Sequence, residues 1–145
     1  MTNPKSYKNS LLINHGQHNH QQGGGQHQDT VCGNGRKGKI GTSGRSHGSA
    51  DFINILYSEF LNYDPDKLDY PFRDRFFLDP GHMSPMLYST LALAGHYSTE
   101  DLQSLRQWGS VTPGHPEVDV MRGVENTSGP LGQGHAMALG AAIAE

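Results

Sequence analysis

Residues 50–145 of this sequence predict an α/β fold, mostly helices with one clear strand, behind a disordered first third. Three observations carry this reading. Apolar residues recur at helical spacing in several stretches after residue 50. One short aromatic run, RFFLD, has the character of a strand. The first 49 residues hold little aliphatic bulk, chiefly Leu11, Leu12, Ile13, Val31 and Ile40, set in a Gln, Gly and His background. Such a segment cannot bury enough apolar surface to offset its ordering entropy.

The elements follow in order. ADFINILYSEFLN, residues 50–62, places Phe52, Ile53, Leu56, Phe60 and Leu61 on one helical stripe, with Ser49 as its cap. YDPDKLDYPFRD has two Pro and four Asp and reads as a surface loop. The strand runs from Arg75 to Asp79, and Pro80-Gly81 ends it. MSPMLYSTLALAGH is the next helix, with Met86, Leu87, Thr90, Leu91 and Ala94 buried, Pro85 in its first turn and Gly95 at its C-terminal end. In STEDLQSLRQWG, Ser98 and Asp101 resemble a capping box, and Leu102, Leu105 and Trp108 share a face. GQGHAMALGAAIAE is a last helix whose small residues allow a neighbouring backbone to come close.

Bulk properties exclude several classes. The net charge is −3 with nine His taken as neutral, so no basic field points to nucleic acid. No apolar run approaches the roughly 18 residues that span a bilayer, and no signal peptide is apparent. The single cysteine, Cys32, rules out an internal disulfide and suits a reducing, cytoplasmic setting.

The chemistry concentrates between residues 109 and 135, GSVTPGHPEVDVMRGVENTSGPLGQGH. A loop this long is uncommon in a compact domain unless it is functional. Three histidines stand beside Gly or Pro: His82 in DPGHMS, His115 in TPGHPE and His135 in GQGH. His82 sits just past a strand end and at a helix start, where α/β proteins place ligands. GPLGQG precedes a helix and is, by itself, a weak phosphate-loop signal. Glu117, Asp119 and Glu125 read as solvated loop carboxylates. In the first third, His15, His18, His20 and His27, near Cys32, suggest a metal-binding tract with irregular spacing. GNGRKG lacks the strand and the spacing of a true phosphate loop.

RDRFFLDPGHMSPMLYS, then RQWGSVTPGHPE, then GVENTSGPLGQG, in this order, resemble the N-terminal region of transketolases. The resemblance covers about residues 50–145. It implies a thiamine-diphosphate-binding module, incomplete here, of an enzyme that moves a two-carbon ketol unit between sugar phosphates in the pentose phosphate pathway. It implies that His82 lies near cofactor and substrate, and that His115 contacts the cofactor and substrate hydroxyls. Gly129, Pro130 and Leu131 would lie along the cofactor's rings. The parent family is a homodimer and binds thiamine diphosphate with Mg or Ca. Its metal ligands would fall beyond residue 145, as would the second domain, whose Glu activates the cofactor from a partner subunit. The chain thus reads as a fragment, inactive alone. Two rivals are the amino-terminal subunit of a split transketolase and a His-rich metal-binding tail on an inert fragment.

One departure from the family pattern concerns SGHPG, which precedes its first helix and supplies a further histidine. Here the place reads GTSGRSHGS, and His47 takes no role. Back-translation of Ile40 to Ser49, read one nucleotide later, permits SGHPGGAMG. Residues from about His15 to Gly48 are therefore expected to be a frameshifted reading. Sequencing the coding DNA across this stretch should show codons that restore SGHPG in the shifted frame; codons that do not permit it end this explanation.

Overall fold

The computed structural model describes residues 48–145. The tract of His15, His18, His20, His27 and Cys32, and the rest of residues 1–47, lie outside the described residues. So does nearly all of the stretch expected to be disordered or frameshifted.

Among the described residues there are four α-helices: α1, Ala50–Ile55; α2, Ser84–Leu93; α3, Thr99–Gln103; and α4, Gln133–Ala144. α1 continues into a wider turn over Leu56–Phe60, in which the Leu61 N–H donates to the Leu56 carbonyl at 2.9 Å. Short 3-10 turns occupy Gly81–Met83 and Val120–Arg122. The core gathers Ile53 and Tyr57 from the first helix, Leu78, Met86, Leu87, Tyr88 and Leu91 from the centre, and Tyr97, Leu102 and Val124 from the later segments. α2 is its axis. Every residue from Ser84 to Leu91 is buried, so this helix is covered on all sides rather than along one stripe.

The local signals that set α2 act as expected. Pro85 stands in the first turn, where its missing N–H costs little. Gly95 adopts φ 95°, and the His96 N–H donates to the Leu91 carbonyl while the Gly95 N–H donates to Ala92. That pair of bonds is a Schellman ending, which needs a left-handed residue. α3 opens on a complete capping box: the Asp101 N–H donates to Ser98 Oγ, and the Ser98 N–H donates to the Asp101 carboxylate at 2.8 Å.

Several expectations are corrected. Arg75–Asp79 is extended but pairs with no strand among the described residues. Its central hydrogen bonds go elsewhere: the Asn126 side chain accepts from the Leu78 N–H at 3.0 Å and donates to the Leu78 carbonyl at 3.3 Å. An amide side chain carries the same donor and acceptor as a backbone unit, and here it does the work of a neighbouring strand. Ser49 makes no side-chain cap on α1. Of the expected stripe Ile53 is buried as read, but Phe52 on α1 and Phe60 in the wider turn are exposed, and Tyr57, outside the stripe, is buried. Trp108 is fully exposed, because α3 stops at Gln103 and Arg106 takes a left-handed φ of 63° that turns the chain away. Glu125 is not a solvated carboxylate. Both its oxygens accept from Arg73, at 2.7 and 3.0 Å, with each side chain about nine-tenths buried or more. The pair ties the loop before residue 75 to the segment after Gly123.

The core also holds a half-buried imidazole. His96 Nε2 lies 2.6 Å from the Tyr63 hydroxyl, whose ring packs edge-on against Tyr57. Burial lowers the His96 pKa, against a smaller opposing pull from Asp66. The folded chain therefore binds this proton more weakly than the unfolded chain, and the contribution to stability is fully present above the unfolded value near 6.5 and is lost as pH falls through the folded value. Thermal melts should show a midpoint that drops as pH is lowered below about 6.5, and H96Q should remove that part of the slope. An unchanged slope in H96Q would assign it to other groups.

Candidate functional site

Three segments far apart in sequence meet at Gly81. A Cβ built there would lie 2.5 Å from the Ser128 carbonyl oxygen and 3.0 Å from His115 Cδ2. No side chain fits, so glycine is required for the contact rather than for its torsions. The turn that carries His82 thus abuts both the TPGHPE loop and the loop that leads into Gly129.

Each loop is held by named bonds. Ser84 Oγ donates to the Gly114 carbonyl at 2.7 Å, and the Tyr88 hydroxyl donates to the Pro113 carbonyl at 3.0 Å. The first turns of α2 therefore carry Pro113 and Gly114 and, next to them, His115. Arg106 braces the other side: its N–H donates to the Thr112 carbonyl at 3.0 Å, and a Cβ on Gly114 would touch the Arg106 side chain at 3.1 Å. Thr112 is buried, and its hydroxyl donates to the Asp101 carbonyl at 2.8 Å. On the third segment Ser128 Oγ donates to the Leu78 carbonyl at 2.8 Å, while the Ser128 N–H donates to the Pro116 carbonyl at 3.0 Å. A further pairing of Asp119 with Val124, through two N–H···O bonds of 2.9 Å, closes the chain between the two loops.

The expected site residues are placed as follows. His82 is half-buried on the Gly81–Met83 turn, and His115 is exposed beside it. Gly129 is half-buried, and Pro130 and Leu131 are exposed, Leu131 by 75%. A Cβ at Gly129 would meet nothing within 4 Å, so the loop faces open space. His135 does not join His82 and His115 as an open ligand group; it bonds Asp79 instead. Glu117 is exposed, and Asp119 forms a surface ion pair of 3.5 Å with Arg122.

The arrangement fits one end of a cofactor better than the other. An open, apolar loop of Pro130 and Leu131 near two imidazoles suits a flat heterocycle with polar substituents. The GPLGQG loop leads into a helix start that packs against Asp79, whose carboxylate lies 2.9 Å from His135 Nδ1. Among the described residues no group of three or more His, Cys, Asp or Glu is placed to hold a metal ion, and no helix is long and apolar enough to cross a membrane.

Asn126, Ser128, Ser84 and Asp79, which build this region, carried no signal in the sequence reading. An Asn or Ser in a Gly-rich loop looks the same whether it meets water or a buried carbonyl.

Known proteins share this sequence and shape. The family described as transketolase, thiamine diphosphate binding domain, matches residues 31–145, reaching back into the stretch ascribed above to a shifted frame. A transketolase of Halalkalibacterium halodurans is 51% identical over 110 residues, 75% of this chain and 16% of that protein. One of Geobacillus stearothermophilus is 50% identical over 110 residues, with the same coverage. Among solved structures, transketolase from Leishmania mexicana superposes with a TM-score of 0.69 at 35% identity, over 99% of this chain and 19% of that one. A Pichia stipitis transketolase variant complexed with fructose 6-phosphate gives 0.55 at 31% identity, over 97% and 18%. The chain spans about a sixth of the length of the curated relatives it matches.

The contact at Gly81 makes one substitution decisive. G81A places a methyl group 2.5 Å from the Ser128 carbonyl, a backbone atom that cannot swing aside. Overpacking of this kind costs about 1–3 kcal/mol. Thermal unfolding should show that loss, and NMR amide shifts should move at residues 115 and 128 together. A neutral G81A would mean that the three segments do not meet.

Proposed function

The chain belongs to the transketolase family and matches it in its thiamine diphosphate binding domain; from that premise we propose that residues 50–145 contribute cofactor- and substrate-facing surface to an enzyme that transfers a two-carbon ketol unit between sugar phosphates. The observation that carries the proposal is the meeting of the His82 turn, the His115 loop and the Ser128–Leu131 segment at Gly81. Thiamine diphosphate, when bound, supplies the electron sink for carbanion chemistry. The Mg or Ca that would accompany its diphosphate finds no cluster of ligands among the described residues.

His115 and His82 take the polar roles. Each imidazole can donate or accept a hydrogen bond near neutral pH, which suits it to hold a sugar hydroxyl and to move a proton there. Their backbones are fixed through Ser84, Tyr88 and Gly81, so little ordering entropy remains to be spent when substrate arrives. Pro130 and Leu131 present apolar surface to the cofactor rings, and Gly129 leaves its approach open. Homodimer assembly, a cytoplasmic setting and a place in the pentose phosphate pathway accompany this reading. The exposed Met137, Leu139 and Ile143 on α4 favour completion of the domain by further polypeptide, either continuous or supplied as a separate chain.

A chimera tests the assignment. Residues 50–145 would replace the matching part of the Halalkalibacterium halodurans transketolase. The chimera should bind thiamine diphosphate and transfer ketol units, whereas the 145-residue chain alone should not. Within the chimera, H115A and H82A should each lower kcat/KM by about 10²–10⁴. A chimera that keeps its full rate with both substitutions removes these residues from the site, and ketol transfer by the chain alone overturns the view that it needs the remainder.

A further inference from the structure

Asp79 lies between the two halves of the site. It follows Leu78 at the end of the extended segment and precedes the turn of His82. Its side chain is only 6% exposed, and a buried carboxylate costs free energy unless donors surround it. One stands at hydrogen-bond distance: His135 Nδ1 lies 2.9 Å from Asp79 Oδ2, and the backbone N–H groups of Gly132 and His135 add a smaller stabilising effect on the charged carboxylate. An ionised carboxylate only accepts, so Nδ1 carries the imidazole proton in this pair and Nε2 is left toward water, the ring being 83% exposed. The His135 ring, more than the two backbone donors, holds the Asp79 carboxyl below the usual carboxylate range against the effect of burial. The approach is possible only because residue 134 is glycine: a Cβ there would lie 2.7 Å from both Asp79 Cβ and the Leu78 carbonyl oxygen.

What this clamp holds is otherwise weakly fixed. Cβ atoms built on Gly129 and Gly132 meet nothing within 4 Å, and Pro130 and Leu131 are exposed. Gly132 has φ 87°, a torsion that no packing around it enforces. The loop is anchored before Gly129 by Ser128 and after it where His135 and Gly134 meet Asp79. We propose that Asp79, with His135, is a positioning residue for the loop Gly129–Gly132, fixing its exit into α4 so that Gly129, Pro130 and Leu131 stand ready to receive the cofactor rings. This rests on the cofactor reading given above. Neither side chain touches the cofactor; both act through the loop.

The test reads amide hydrogen exchange by NMR in the 145-residue chain and titrates thiamine diphosphate into the chimera described above. D79A should speed exchange at residues 129 and 131–135, leave the amides of Ile53, Leu87 and Leu91 protected, and raise the thiamine diphosphate Kd about tenfold, as the loss of hydrogen bonds to a charged group implies. D79N keeps an acceptor oxygen and should recover most of both effects. H135A removes the ring alone and should give about a threefold change, which keeps the proposal open to refutation if D79A does not fold. Unchanged loop exchange in D79A and H135A overturns the proposal. So does a rise shared equally by the core amides, the signature of a merely structural role. A wild-type chimera that does not bind thiamine diphosphate overturns the cofactor reading, while the exchange pattern in the chain still decides whether Asp79 sets the loop.

Discussion

The backbone of Leu78 is the constraint on which the rest depends. Its side chain is in the core, and its N–H and carbonyl, buried with it, must find partners. No neighbouring strand supplies them among the described residues. Asn126 satisfies both, and Ser128 adds a second bond to the carbonyl. A buried carbonyl left without a partner costs about 1–3 kcal/mol, so the 126–128 segment is drawn onto Leu78 with some force. Asp79 then takes the start of α4, and Gly81 meets both Ser128 and His115. One short segment thereby collects three loops and a helix, while its own Leu78 and Phe76 pack on the core.

This dependence explains which features were legible in the sequence. α2 and α3 were legible because their ends are written in residues with strong local preferences: Pro85, Gly95, and the Ser98–Asp101 pair. Local hydrogen bonds decide these, and a sequence displays local pairs directly. The face of α1 was not legible. The expected stripe through Phe52, Ile53 and Phe60 and a second one through Ile53 and Tyr57 are equally periodic, and only the position of α2 selects the second. The wider turn at Leu56–Phe60 shifts the register again, and hydrophobic spacing does not report it. Trp108 was misplaced because the left-handed Arg106 interrupts a pattern that otherwise continues. Nothing about an arginine announces φ 63°.

The site was legible in a different way. His82, His115 and Gly129 stand in motifs visible in the sequence, and the contact at Gly81 brings together the loops that carry them. The residues that bring them together were not visible. Asn126 and Ser128 act on an atom 48 and 50 residues away, a separation at which spacing carries no information. Glu125 read as a solvated loop acid for the same reason: its partner, Arg73, is 52 residues distant. Here the chemistry-bearing side chains lie in recognisable strings, while the scaffold under them is a set of long-range polar bonds made by ordinary loop residues.

Polar scaffolding of this kind has a consequence for how fold and site relate. In a site mounted on a sheet, loops can vary while the strands hold. In this chain the loops that present His115 and Gly129 are also what satisfies the buried backbone at Leu78 and the first turns of α2. Loosening either loop exposes a core carbonyl, and loosening the core releases the loop. The apolar area that would otherwise decouple the two is spent outward: Met137, Leu139 and Ile143 on α4, and Phe52 and Phe60 on the first helix, face away from the core. Only Gly134 of α4 is buried, and it is held there by the approach of Leu78 and Asp79 rather than by a side chain of its own. The helix is therefore docked chiefly through its first turn, with a partly exposed ion pair of 3.0 Å between Glu145 and Arg75 at its far end. Burial of those outward apolar residues by further polypeptide would tighten that turn, and through Asp79 and Gly132 it would tighten the loop at Gly129 as well.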